Sequence, residues 1–141
     1  MPKEKFMLEA IRDAKRTGHH FGAVVIKGNK IIAKPGKRPK GDARYHAETQ
    51  AILNACKKLK SKTLKDCTLY STCEPCAMCF YMAWITEIPE IVYGSSLKDS
   101  IKAGFPEINV TDKFLNRRSG KRVKLSGRFM RDECLKLLKI A

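Results

Sequence analysis

The chain has 141 residues, 43% of them hydrophobic, with 29 Lys and Arg against 14 Asp and Glu and a net charge of +15. That length suits one core and leaves little room for a second, and no apolar run nears the roughly 20 residues that span a bilayer. The charged, amphipathic start MPKEKFMLEAIRDAKR lacks the apolar region of a secretory signal, so a cytoplasmic protein is expected, its six cysteines being thiols or metal ligands rather than disulfides. Residues 5–17 put Phe6, Ala10, Ile11 and Ala14 on one stripe, which predicts a helix. FGAVVIK and KIIAK then flank Gly28-Asn29, the turn signal of a β-hairpin. Residues 35–45, PGKRPKGDARY, have the composition of a loop. Ala47, Ala51, Ile52, Ala55 and Leu59 recur at helical spacing within 46–60. CTLYS at 67–71 reads as a strand. Pro75 has no N–H to donate and suits a first helical turn, so a helix is expected from about 75 to 87. EIVYG at 90–94 is another strand, and 95–120 looks mostly irregular. RVKLSG holds a last strand, and 130–140 a last helix. Strand–helix–strand crossovers predict parallel pairing among the later strands, in a mixed sheet with helices on both faces.

The charge favours an anionic partner such as nucleic acid or nucleotide, although scattered lysines equally serve as a solvated surface. Two clusters stand out. One comprises Arg117, Arg118, Lys121, Arg122, Lys124, Arg128 and Arg131, with no acid before Asp132. The other comprises Lys34, Lys37, Arg38, Lys40 and Arg44.

The chemistry concentrates in YSTCEPCAMC at 70–79, where Cys73, Cys76 and Cys79 recur every third residue. An iron–sulfur run would continue with a fourth cysteine followed by proline, but position 83 is alanine. A redox Cys-x-x-Cys pair leaves Pro75 and the upstream His-Ala-Glu unexplained. Zinc fits better, because it takes thiolate and imidazole ligands in a tetrahedron. Cys76 and Cys79 lie one turn apart at a helix start, where the partial positive charge favours thiolate. His46 in YHAETQAI is the third candidate ligand; His19 and His20 compete for that role without paired spacing. Three protein ligands leave a position open for water, and Glu48, two residues from His46, is the candidate proton carrier.

HAE at 46–48 followed by PCAMC at 75–79 resembles the H-x-E…P-C-x-x-C signature of the zinc-dependent nucleobase deaminases. The resemblance to this cytidine deaminase-like superfamily covers most of the chain, and it is greatest to the branch holding guanine, cytosine and tRNA wobble-adenosine deaminases. It implies an α/β fold: a three-layer α/β/α sandwich with a mixed sheet, formed by residues 1–141 as one deaminase domain. It implies that His46, Cys76 and Cys79 hold Zn2+ and that Glu48 moves protons while activated water displaces a ring amine as ammonia. Amides near Ala47 and Cys76 would orient the base, and Cys73 is not assigned to zinc. LYSTCEPCAMC and DSIKAGF at 99–105 are similar to guanine deaminases, in which the aspartate contacts the base. That makes Asp99 a candidate substrate contact, with Phe21 as a stacking surface. RFMRDECLKLL at 128–138 is similar instead to the closing helix of the tRNA enzymes. Relatives are mostly homodimers, so a homodimer is expected.

Three positions depart from the family pattern. Pro35, or Lys37 with a shorter loop, stands where a base- or ribose-contacting Asn is usual. Tyr81 replaces a small residue and would narrow the pocket. Ile85 replaces a tryptophan. The expected function is hydrolytic deamination of a nucleobase or nucleoside, a purine of the guanine type. A tRNA-acting adenosine or cytidine deaminase is the alternative, favoured by the charge. A third reading is a zinc-stabilised nucleic-acid-binding module without catalysis, which would need Cys73 as a fourth ligand.

Overall fold

Alternation along three central strands decides the architecture. In the computed structural model, which describes residues 1–139, Ala23, Val25, Leu69 and Ile91 point to one side of a sheet, and Val24, Ile26, Tyr70 and Val92 to the other. Both sets are buried, so both faces must be covered. The elements run α1 (Glu4–Thr17), β1 (Ala23–Lys27), β2 (Lys30–Ala33), α2 (Ala47–Leu59), β3 (Cys67–Cys73), α3 (Ala77–Ile85), β4 (Glu90–Ser95), α4 (Leu97–Lys102), α5 (Asp112–Arg118), β5 (Lys124–Ser126) and α6 (Arg131–Leu135), ending in a 3-10 turn, Lys136–Leu138. Phe6, Met7, Ala10 and Ile11 of α1 cover one face, with Cys134 of α6 beside them. Ala47, Ala51, Ile52 and Ala55 of α2, with Phe80 and Ala83 of α3, cover the other. The result is the expected three-layer α/β/α sandwich.

The sheet order is β2-β1-β3-β4-β5. β1 pairs antiparallel with β2 and with β3, whereas β3–β4 and β4–β5 are parallel, as the crossovers require. Gly28 and Asn29 both have positive φ, 55° and 66°, which gives the hairpin a twist matching its strands. Gly22 lets α1 lie against the entry to β1, since a Cβ there would strike the Ala10 carbonyl.

Two expectations are corrected. Residues 95–120 are not mostly irregular, for α4 and α5 lie within them, each with a side-chain cap. The terminal helix is short, Arg131–Leu135, and residue 140 of the expected span lies outside the described residues. No helix among the described residues is long and apolar enough to cross a membrane.

Candidate active site

The site forms where α2 and α3 begin, at the end of the parallel strands where such sheets gather ligands. His46 is the N-cap of α2 and Cys76 the N-cap of α3, both with extended backbone. Pro75 lies just outside α3. The His46 Nδ1 atom is 3.5 Å from Cys76 Sγ and 3.4 Å from Cys79 Sγ. All three atoms lie within 4.8 Å of one another. Zinc bonds of about 2.3 Å to sulfur and about 2.0 Å to nitrogen, at a tetrahedral angle, place such atoms about 3.6 Å apart, so this donor set has the size and chemistry to hold zinc. Cys73 is outside the group; it is buried, and its Sγ faces the Ser96 carbonyl at 3.6 Å. Burial pushes the Cys73 thiol up.

The Cys76 thiol is pulled down to about 4, first by the hydrogen bond it accepts from Cys79 and then by His46, with burial opposing. His46 is raised in turn, chiefly by its bond to Cys76. Glu48, in the first turn of α2 and 5% exposed, is pushed up to about 7 by burial and then by the Cys76 charge.

A cavity of about 510 Å³ opens on these groups, a size ordinary for a small organic ligand. Its wall includes His46, Ala47, Glu48, Cys76, Phe21 and Glu107. Phe21 and Phe105 form an edge-to-face pair with centroids 5.0 Å apart, giving the cavity an apolar side. Glu107 accepts a hydrogen bond from Ser100 Oγ at 2.8 Å, and burial raises its carboxyl. Sequence reasoning missed Glu107 and chose Asp99 from the same segment.

Asp99 stands apart from the cavity wall. It closes a capping box at the start of α4 with Ser96 and receives two hydrogen bonds from Arg131, Nη2 at 2.7 Å and Nε at 3.0 Å. Arg131 holds its carboxyl down to about 2. The S-x-x-D pattern at 96–99 was the available signal that this acid serves a helix end.

Other expectations change with the structure. Tyr81 does not narrow the pocket: it lies on the outer face of α3, 58% exposed, and Ile85 is exposed there too. Neither Pro35 nor Lys37 lines the cavity, whereas Arg38 and Lys40 do. The basic cluster at 34–44 is largely neutralised, because Lys34 pairs with Glu9, Arg44 with Asp42 and Arg38 with Asp13. The last pair is buried, and Arg38 also donates to the Phe21 carbonyl at 3.0 Å, tying the loop over the cavity to its floor. Among the described residues, Arg117, Arg118, Lys121, Arg122, Lys124 and Arg128 form no ion pair; Arg122 lies over the Trp84 ring at 4.1 Å.

An α/β/α sheet thus sets one imidazole, two thiols and a buried carboxylate at neighbouring helix starts, in a chain that is a deaminase by its relatives. The chain belongs to the MafB19-like deaminase family, whose model matches residues 3–133. It is 37% identical over 101 residues to a tRNA-specific adenosine deaminase of Aquifex aeolicus, the match covering 67% of each chain. It is 38% identical over 92 residues to the guanine deaminase of Bacillus subtilis, a match covering 64% of this chain and 59% of that protein. In fold it is similar to the guanine deaminase from Nitrosomonas europaea, with a TM-score of 0.85 at 22% identity over 97% of this chain and 82% of that one.

Proposed function

We propose that residues 1–141 form one zinc-dependent aminohydrolase domain that removes the exocyclic amine of a purine of the guanine type, as free base or nucleoside. In this reading His46, Cys76 and Cys79 hold the ion and Glu48 is the catalytic acid–base. A zinc ion in this set supplies Lewis acidity and lowers the pKa of water toward about 7. Glu48 takes a proton from the attacking water, returns it to the ring nitrogen beside the attacked carbon, and assists departure of ammonia. Its buried position beside the candidate metal ligands suits a group that passes a proton between water and the ring. Phe21 offers a stacking face, and the first turn of α2 at Ala47 offers amides to orient the ring.

The observation that carries the guanine-type reading is Glu107 on the cavity wall. Guanine presents its N1–H and its 2-amino group side by side, two donors that one carboxylate can accept together. Adenine and cytosine present ring-nitrogen acceptors beside their amines, which a carboxylate repels. Ammonia release measured across guanine, guanosine, cytosine, adenine and a tRNA anticodon stem-loop, with zinc present, tests the proposal. Guanine or guanosine should be turned over fastest; preference for adenine or cytosine would reject it.

A tRNA-acting adenosine or cytidine deaminase is the second reading. It is favoured by the basic side chains between Arg117 and Arg128, which form no ion pair among the described residues, and by the Aquifex relative. Phosphate contacts would make RNA binding fall steeply with salt, so weak, salt-indifferent binding rejects this reading. A homodimer is part of the proposal. It is supported by exposed Met78, Tyr81 and Ile85, which share one face of α3, and by exposed Leu53 of α2, the helix packed against α3.

A further inference from the structure

The cavity carboxylate Glu107 sits in a turn after α4, and its place depends on that helix. Ser100 Oγ donates to Glu107 Oε2 at 2.8 Å, and the Ser100 carbonyl accepts from Phe105 N at 3.1 Å, so one fully buried residue holds the segment after the turn at two points. The residue before Ser100 is Asp99. Its carboxylate serves the α4 N-terminus through Ser96 N at 2.8 Å and receives the Arg131 fork from α6. The α6 helix is itself fixed on the sheet: Cys134 is buried against Gly94 of β4, where a Cβ would collide with its sulfur. Met130, just before Arg131, adopts a left-handed backbone with φ 53°, which turns the chain into α6. A connected path therefore runs from α6 to the cavity: the Arg131–Asp99 ion pair, the peptide bond from Asp99 to Ser100 within α4, and the Ser100–Glu107 hydrogen bond.

We infer that Arg131 is a positioning residue for purine recognition, holding α4 through Asp99 so that Ser100 presents Glu107 to the cavity. This rests on the reading of Glu107 given above. Arg suits the task because its two donors meet both carboxylate oxygens and fix orientation as well as distance, which a Lys ammonium cannot do. The pair is only partly exposed, Arg131 32% and Asp99 12%, so solvent does not dissolve the geometry. Asp99, which by resemblance would touch the base, here acts one step back, and the acid of this segment that lines the cavity is Glu107.

The test measures kcat and KM for guanine and the Kd of 8-azaguanine in Arg131→Gln, Arg131→Lys, Glu107→Gln and the double variant Arg131→Gln/Glu107→Gln, all zinc-loaded, with thermal melting alongside. Loss of one fixed contact misplaces the carboxylate, so Arg131→Gln should raise KM and Kd about fivefold to a hundredfold while kcat falls much less. Arg131→Lys should fall between Arg131→Gln and the unaltered protein, and keeps the test alive should Arg131→Gln fold poorly. Because Arg131 acts through Glu107, adding Arg131→Gln to Glu107→Gln should raise KM and Kd little further. If Glu107→Gln weakens binding but Arg131→Gln does not, or if the two effects multiply in full, the positioning role is wrong while the Glu107 reading stands. If Glu107→Gln leaves KM and Kd unchanged, the Glu107 reading falls and the positioning role with it.

Discussion

Glu74 offers a demanding test of how the site is built. It lies between Cys73 and Pro75, is 5% exposed, and its carboxylate accepts from Leu97 N at 2.9 Å and from Asp112 N at 2.7 Å. Those are the first residues of α4 and α5, so one negative charge serves the N-termini of two helices. Glu74→Ala removes both bonds and leaves two buried donors without partners. Hydrogen bonds to a charged group are worth about 1.5–3 kcal/mol each, giving about 3–6 kcal/mol. Release from holding a carboxylate beside buried Asp112 offsets part of this, so the expected net loss is about 3–5 kcal/mol. Glu74→Gln keeps one acceptor oxygen and should cost roughly half as much. Equilibrium urea unfolding reads both values. A loss under about 1 kcal/mol for Glu74→Ala, or equal losses for Ala and Gln, would refute the double-cap argument.

Asp112 is fully buried with neither carboxyl oxygen partnered among the described residues, and burial followed by the charge of Glu74 pushes it from 3.8 up to about 10. A raised acid binds more protons folded than unfolded between those values, so its contribution to stability declines as pH rises; unfolding titrations should show Asp112→Asn gaining on the unaltered protein from about pH 5 to about pH 8, and a constant difference would contradict this. Arg38→Ala strips a buried pair whose side chains are 1% and 0% exposed, and should cost about 3–5 kcal/mol by urea unfolding, whereas Arg44→Ala at an exposed pair should leave the unfolding midpoint unchanged. Gly94→Ala drives a methyl into Cys134, so thermal melting should show a loss of about 1–3 kcal/mol together with a rise in KM for guanine, since α6 carries Arg131.

The sheet was legible because its strands and helices repeat at their own periods: Val24 and Ile26 against Val25, and Ala47, Ala51 and Ala55 along α2. The metal-ligand set was legible because its spacing is local on each side, His46 with Glu48 and Cys76 with Cys79, and the structure brings the two sides together. What escaped was short or long-range. α4 and α5 span only six and seven residues, too few to establish a helical period, yet each begins at a Ser or Thr cap. The capping pattern Ser96-x-x-Asp99 carried the signal that a composition reading of 95–120 overlooked. Whether an acid faces a cavity depends on partners far along the chain. Arg131, 32 positions from Asp99, draws that carboxylate away, while Ser100, 7 positions from Glu107, holds the other in place. Arg38 was misjudged for the same reason, since its partner Asp13 lies 25 residues upstream on the far side of the hairpin's first strand.

The measurement that bears most directly on the account is ammonia release from guanine by the unaltered protein and by Glu48→Gln, with zinc counted in the same samples. One zinc per chain in both proteins is expected, with turnover in the variant lower by about 10²–10⁴-fold. Turnover undiminished in Glu48→Gln, or brisk turnover by an unaltered protein that carries no zinc, would contradict it.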